Sequence, residues 1–123
     1  MNSDIILVVL GEPNSTFSEV LFKYFSSTNF KKNKNRIILV GNSKLLSEQM
    51  KRLNYDFNIN EILNVKDYLK KSINILNVEY KFNKPFSKIS ETSNKYIESC
   101  FNLAIKLIKL NKINKLINGP ISK

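Results

Sequence analysis

Two runs of consecutive aliphatic residues, IILVVL at 5–10 and RIILVG at 36–41, dominate the hydrophobic pattern of this chain. Apolar runs without polar alternation are the pattern of a strand covered on both faces. The first run ends at Gly11-Glu12-Pro13, whose glycine and proline break a strand. Between the runs, Phe17, Val20, Leu21, Tyr24 and Phe25 recur at i, i+3, i+4, i+7 and i+8, which predicts an amphipathic helix. Ser15 or Thr16 is placed to cap it, and Thr16 with Glu19 has the spacing of a capping box. After the second run, Ser43 is the predicted cap of a helix with the stripe Leu45, Leu46, Met50 and Leu53. Strand, helix, strand, helix predicts an α/β fold, a mainly parallel sheet with crossover helices.

The middle of the chain mixes both periods, and the predicted strands there are a short one near 57–59 and another near 73–78. Pro85 and its neighbours read as a loop. Helical period returns over 91–111, with Ser90 or Thr92 as cap and Tyr96, Ile97, Cys100, Phe101, Ala104, Ile105, Leu107 and Ile108 as its apolar residues. The face formed by Ile97, Phe101, Ile105 and Ile108 is predicted to pack on the sheet. A last strand, 115–118, then delivers the segment NGPISK.

Composition narrows the class. A chain of 123 residues is one domain at most. Its 42% hydrophobic and 24% charged residues are ordinary for a soluble globular protein. A single cysteine excludes an internal disulfide framework and fits a reducing compartment. No apolar run approaches the ~18 residues of a membrane span, and the first ten residues lack a basic leader and a cleavage site. A cytoplasmic location and no membrane partner are expected.

The net charge of +10 raises the question of nucleic acid. Along the sequence, however, the lysines are spread out, and only Lys31, Lys32, Lys34 and Arg36 form a tight group, in a predicted solvated loop. Abundant lysine, asparagine and isoleucine with three glycines, three prolines and no tryptophan fit a general compositional drift. Lys106, Lys109, Lys112 and Lys115 read as the solvated face and end of the long helix, where cations suit the negative end of the dipole. Nucleic acid is therefore not expected as a partner; a basic patch on one face of the fold would reverse this.

The chemistry available is limited. The chain has no histidine, so a zinc or iron site of the usual nitrogen and sulfur ligands cannot be assembled from it. Ser-His-Asp and Cys-His arrangements are excluded for the same reason. Cys100 lies on the apolar side of the long helix and reads as a buried structural thiol. Neither a P-loop nor a G-x-G-x-x-G fingerprint is present. Two loops remain. In LGEPNSTFSE a buried strand feeds a Gly-x-Pro turn and a helix N-terminus, whose free N–H groups suit an anion. NGPISK repeats the design at the last strand, and in a parallel sheet both loops open at the carboxyl ends, where ligands bind.

These stretches, GEPNSTFSEVLFKYF together with ETSNKYIESCFNLAIKLIK and INGPISK, resemble the N-terminal part of the 4-hydroxythreonine-4-phosphate dehydrogenase family of pyridoxal phosphate (vitamin B6) biosynthesis. In that family the first strand ends in G-[DE]-P-A-G-I-G-P-E, matched here by Gly11, Glu12, Pro13 and Glu19. RIILVGNSKLLSEQMKRLN is similar to the family's second unit, and the later G-P-[IV]-x-K loop is matched by Gly119, Pro120, Ile121 and Lys123. One segment departs: Asn14 to Ser18 replace A-G-I-G-P, with the loss of two glycines that ease close backbone approach.

The resemblance implies the N-terminal part of an isocitrate/isopropylmalate-dehydrogenase-like fold, with residues 1–123 an incomplete segment of a larger two-domain, homodimeric enzyme. The implied reaction is NAD- or NADP-linked oxidation, with decarboxylation, of 4-phosphohydroxy-L-threonine. In the complete enzyme a divalent metal (zinc, magnesium or cobalt) polarises the developing ketone and the nicotinamide accepts hydride. The family's histidine ligands fall beyond the G-P-I-x-K loop. No catalytic residue and no metal ligand is thus assigned within this segment, which alone is expected to be inactive and to bind neither metal nor NAD(P). Gly11, Glu12, Pro13, Gly119, Pro120 and Lys123 are the expected lining of the cleft, Lys123 as an electrostatic contact for a phosphate. The other class of function carried by the sequence is a stand-alone basic module for RNA or another polyanion, with its five tyrosines and eight phenylalanines as stacking groups. Most of those aromatics fall on helical stripes, which assigns them to the core.

Overall fold

The computed structural model describes residues 4–13, 16–82 and 91–119. In chain order the elements are β1 (Ile5–Val9), α1 (Phe17–Phe25), α2 (Thr28–Lys32), β2 (Arg36–Gly41), α3 (Ser43–Arg52) and β3 (Ile59–Ile62). A 3-10 turn (Val65–Asp67), β4 (Ile73–Asn77), α4 (Glu91–Asn111) and β5 (Lys115–Asn118) follow. The five strands form one sheet in the order β3-β4-β2-β1-β5, every pair parallel. Leu7 lies opposite Ile38 and Val9 opposite Val40, while β5 sets Leu116 opposite Leu7. The predicted α/β fold with a parallel sheet and crossover helices is what forms.

The two unbroken aliphatic runs are explained by the layers above and below them. Ile5, Leu7, Val9, Ile38 and Val40 face α4, where Tyr96, Ile97, Cys100, Ala104 and Leu107 cover them. Val8, Leu39 and Ile75 face the opposite way, against Phe22 and Phe25 of α1 and Leu46 and Met50 of α3. Alternate residues of one strand thus enter two different cores. Burying each such side chain contributes about 1.5–3 kcal/mol, which is why β1 and the buried part of β2 beyond Arg36 carry no polar side chain. No helix among the described residues is long and apolar enough to cross a membrane.

Several local expectations are corrected. In α1, Val20 is 56% exposed and Phe22 fully buried, because Tyr55 and Phe57 offer Phe22 an aromatic wall with ring centroids at 5.4 and 6.1 Å. The same wall draws Phe57 inward, so β3 begins at Ile59 rather than near 57. Thr16 is the N-cap of α1 but makes no side-chain cap bond, and Glu19 pairs with Lys23 at 3.6 Å instead of closing a capping box. Asn42, not Ser43, caps α3, its side chain accepting from the Leu45 N–H at 2.8 Å. Residues 28–32, predicted as loop, form α2, capped by Ser27 and held by Phe30 edge-on against Phe25 at 4.9 Å.

On α4, Ile105 is 46% exposed and the sheet-facing line runs through Ile97, Cys100, Ala104 and Leu107. Steps of four residues advance about 40° around a 3.6-residue helix, so the predicted series 97, 101, 105 walks off the core. Steps of three and four in alternation stay on it. Thr92 lies inside α4, while Ser90 and the loop around Pro85 fall outside the described residues. Cys100 is buried as expected, and burial pushes its thiol up to about 12, which keeps it protonated and inert.

Candidate functional site

The carboxyl edge of the sheet gathers the loops that leave β1, β2, β4 and β5. After β1, the Leu10 N–H still donates to Val40 O at 3.1 Å, and the chain then turns at Gly11 with φ 75°. This left-handed conformation favours glycine, and it swings Glu12 and Pro13 back over the sheet. Both are buried, Glu12 to 6% exposure. The turn is fixed from α3, where the buried Gln49 donates its side-chain N–H to Pro13 O at 2.9 Å. A cavity of about 10 Å³ remains between Leu10, Glu12, Ser18, Gln49 and Tyr96, no larger than one water occupies. Ser18 Oγ is buried at its wall and makes no hydrogen bond among the described residues.

β5 brings the second motif to the same place. The Gly119 N–H donates to Val9 O at 2.7 Å, which extends the β1–β5 ladder by one rung. A Cβ on Gly119 would run into the Leu10 carbonyl oxygen and lie 2.7 Å from the Phe17 ring. Glycine is required here by that close approach of two backbones. The structure therefore brings Gly11, Glu12, Pro13 and Gly119 together at adjacent strand ends. Pro120 and Lys123 lie outside the described residues.

The larger opening lies one strand over, at the ends of β2 and β4. An open cleft of about 430 Å³ is bordered by Asn42, Ser43, Lys44, Glu79, Tyr80 and Phe82, within the size range of small-molecule sites. Across Tyr80 it meets a second hollow of about 260 Å³ beside Lys95, Tyr96 and Ser99. The walls are fixed by a polar lattice. The Asn42 N–H donates to the Tyr96 hydroxyl at 2.7 Å, and Asn42 Nδ2 donates to Val78 O at 2.9 Å. Asn77 Oδ1 accepts from the Ser43 N–H at 2.9 Å, and the Ser43 hydroxyl donates to Glu61 at 2.6 Å. Tyr80 stacks on Tyr96 with centroids at 4.4 Å and on Phe82 at 6.0 Å. Burial drives the Tyr96 phenol well above the usual tyrosine range, so its oxygen stays neutral as the acceptor for Asn42.

Sequence reasoning missed this second half. Asn42 and Tyr96 are fifty-four residues apart and meet only in the fold. The available signal was Gly41-Asn42 at the end of a buried strand, the same design as the two loops singled out. Gly41 is also closely packed, here against side chains, since a Cβ at this position would lie 2.9 Å from the Tyr96 hydroxyl. Chemically, the described side chains at this edge supply amides, hydroxyls, ammonium groups and aromatic faces, which is a set for binding and orienting a polar ligand. No group of three or more carboxylates, cysteines or histidines is placed to hold a metal among the described residues.

No protein-family model matches the sequence, and no curated protein does so either. Solved structures do. The 4-hydroxythreonine-4-phosphate dehydrogenase of Burkholderia phymatum superimposes on 97% of this chain with a TM-score of 0.84 at 18% identity. That of Klebsiella pneumoniae superimposes on 96% with a TM-score of 0.75 at 14% identity. The chain spans 37% of the first structure's length and 38% of the second's. The fold is thus shared with part of these dehydrogenases.

Proposed function

We propose that this chain is the N-terminal segment of an enzyme that oxidises a phosphorylated hydroxy-amino acid, 4-phosphohydroxy-L-threonine, with NAD or NADP as hydride acceptor and decarboxylation following. One observation carries the reading. The two short motifs that resemble the family, Gly11-Glu12-Pro13 and the loop opened by Gly119, lie 106 residues apart in sequence yet meet at neighbouring strand ends, within a fold shared with those dehydrogenases across nearly the whole chain. In this reading the carboxyl edge forms one wall of the cleft. Its backbone turns and the Asn42–Asn77 lattice position the phosphorylated substrate, and the β1 turn closes water out from below.

The metal of the proposed reaction does not fit the residues of this chain. Histidine is absent, the one cysteine is buried and protonated, and the described carboxylates do not converge. Metal ligands and the nicotinamide site belong, in this reading, to a further two-thirds of polypeptide, with a homodimer as the working assembly in the cytoplasm. The test is reconstitution. The 123 residues are co-expressed with the Burkholderia phymatum enzyme lacking its matching N-terminal segment, and NAD(P)H formation from 4-phosphohydroxy-L-threonine is followed by absorbance with added divalent metal. Activity in the assembled pair and in neither part alone is expected. A stable assembly that binds substrate and produces no reduced cofactor would overturn the reading.

A further inference from the structure

The lysines that look dispersed in sequence are gathered by the fold. A parallel sheet sends every strand start and every helix end to the same edge, opposite the cleft. Lys31, Lys32 and Lys34 lead into β2, and Arg36 is its first residue. Lys70 and Lys71 precede β4, and Lys112 and Lys115 sit at the start of β5. Lys51 and Arg52 end α3, and Lys109 ends α4. All but the half-buried Arg36 are exposed. Against these eleven cations the same edge carries three carboxylates, Asp4, Asp56 and Glu48, the last paired with Lys51 at 3.8 Å, so +8 of the chain's +10 is concentrated there. The remaining nine cations and seven carboxylates of the chain nearly cancel.

Helix dipoles explain only part of this. A cation in the last turn offsets the C-terminal partial charge, which accounts for Lys31 and Lys32 of α2, Lys51 and Arg52 of α3 and Lys109 of α4. Lys34, Lys70, Lys71 and Lys115 lie in no helix. Compositional drift raises the number of lysines but does not keep carboxylates away from one edge. The groups do meet. Lys115 Nζ donates to Asn35 at 3.4 Å, which ties the β5 cations to those leading into β2, and Arg36 and Lys115 together hold the Asp4 carboxyl below its usual range.

We propose that the amino edge of the sheet is a sequence-independent binding surface for the phosphate backbone of nucleic acid, a function separate from the cleft. Four inter-strand spacings make the edge about 19 Å long. Duplex DNA presents about eleven phosphates over that length, so the numbers of charges are comparable. Lysine dominates, as suits point contacts to phosphate rather than bidentate reading of bases. An anionic membrane is the less suitable partner, because lipid-inserting faces carry a continuous apolar or aromatic side. Here only Leu69 and Leu110 are large, apolar and exposed at this edge among the described residues.

The test is fluorescence anisotropy of the full chain with labelled DNA and RNA duplexes of about 20 base pairs, from about 50 to 200 mM KCl. Binding is expected to weaken about a thousandfold over that range, as six or more phosphate contacts require. A preference between the duplexes identifies the source, and either one supports the proposal. The double variant Lys34→Glu/Lys70→Glu should lose at least about tenfold in affinity and flatten the salt slope, whereas Lys95→Glu/Lys106→Glu, the same charge change on the exposed side of α4, should stay within about threefold. Circular dichroism establishes that both doubles remain folded. Equal losses in the two doubles, no binding at the lowest salt, or adherence to phosphatidylserine vesicles without duplex binding would each overturn it.

Discussion

β1 and β5 lie side by side in one sheet, and the aliphatic residues of β5, Leu116 and Ile117, are of the same kind as those of β1, yet they live in different surroundings. Ile5, Leu7 and Val9 of β1 have no exposed surface, whereas all four residues of β5 are exposed, Ile117 by 50%. Strand residues are buried by what flanks them rather than by their own character. β1 has β2 on one side, β5 on the other, α4 above and α1 with α3 below. β5 has β1 on one side and, among the described residues, no strand on the other. An unpaired aliphatic edge of this kind is a template for another chain.

The largest expected effect separates the two strands by mutation. Leu7→Ala leaves a cavity between α4 and the sheet and should cost about 2–5 kcal/mol. Ile117→Ala removes a side chain already half in water and should cost less than about 1 kcal/mol. Urea unfolding midpoints of the two variants measure the contrast. A cost at Ile117 equal to that at Leu7 would break the comparison and mean that β5 is covered in solution, which sedimentation of the parent chain would then show as self-association.

Gly119 marks the point where the contrast ends, since the exposed row of β5 runs directly into a buried glycine. Gly119→Ala forces a methyl group against the Leu10 carbonyl, which is backbone and cannot swing aside. Overpacking of this kind costs about 1–3 kcal/mol. It should also displace the Gly11-Glu12-Pro13 turn, so the reconstituted enzyme is expected to lose activity beyond its loss of stability. Stability falling with activity per folded molecule unchanged would show that the contact supports the sheet alone.

The contrast also sorts what the sequence made legible. β1 and β2 were readable because both their faces are buried, which leaves an unbroken aliphatic run that no other element imitates. The two glycine turns were readable because punctuation after such a run is local. Phe22 was missed in favour of Val20 because the deciding partners, Tyr55 and Phe57, are more than thirty residues away. Tyr96 as a wall of the site was missed for the same reason. Its helix was evident, but its hydroxyl finds Asn42 only after the sheet has closed. The amino edge was hidden more completely, because a parallel topology interleaves its residues with those of the opposite edge along the chain.

Tyr96→Phe tests whether α4 contributes more than apolar cover to the β1 side. The substitution keeps the ring, its stack on Tyr80 and its burial, and removes the acceptor of the Asn42 N–H. A buried donor left without a partner costs about 1–3 kcal/mol. The loss should fall near the low end, since Asn42 borders an open cleft that water can enter. Amide exchange at Asn42 is the sharper measurement, and it should speed up while exchange in the middle of β1 keeps pace only with global stability. An unchanged Asn42 amide would mean that the N–H finds another acceptor.

The smallest effect lies where β1, β2 and β5 begin. Asp4 accepts from Arg36 Nε at 2.7 Å and from Arg36 Nη2 at 2.9 Å, and the guanidinium, with a lesser contribution from Lys115, holds its carboxyl below the usual aspartate range. A carboxylate whose pKa is lowered by folding contributes stability that is present above its unfolded pKa and lost as pH falls through the folded one. The loss should therefore set in below about pH 4, the ordinary aspartate value. Both side chains are partly solvated, 32% exposed for Arg36 and 44% for Asp4, so the contribution is screened to less than about 1 kcal/mol. Asp4→Asn should flatten the acid limb of a melting-temperature profile and leave the neutral region displaced by no more than that amount. Lys115→Gln should raise the Asp4 pKa slightly in an NMR titration, because Lys115 is the least of its charge partners. A shift from Lys115→Gln as large as that from Arg36→Gln would mean that β5 is held to β1 at its start by charge, and that the edge strand is less separable from the core than its exposure indicates.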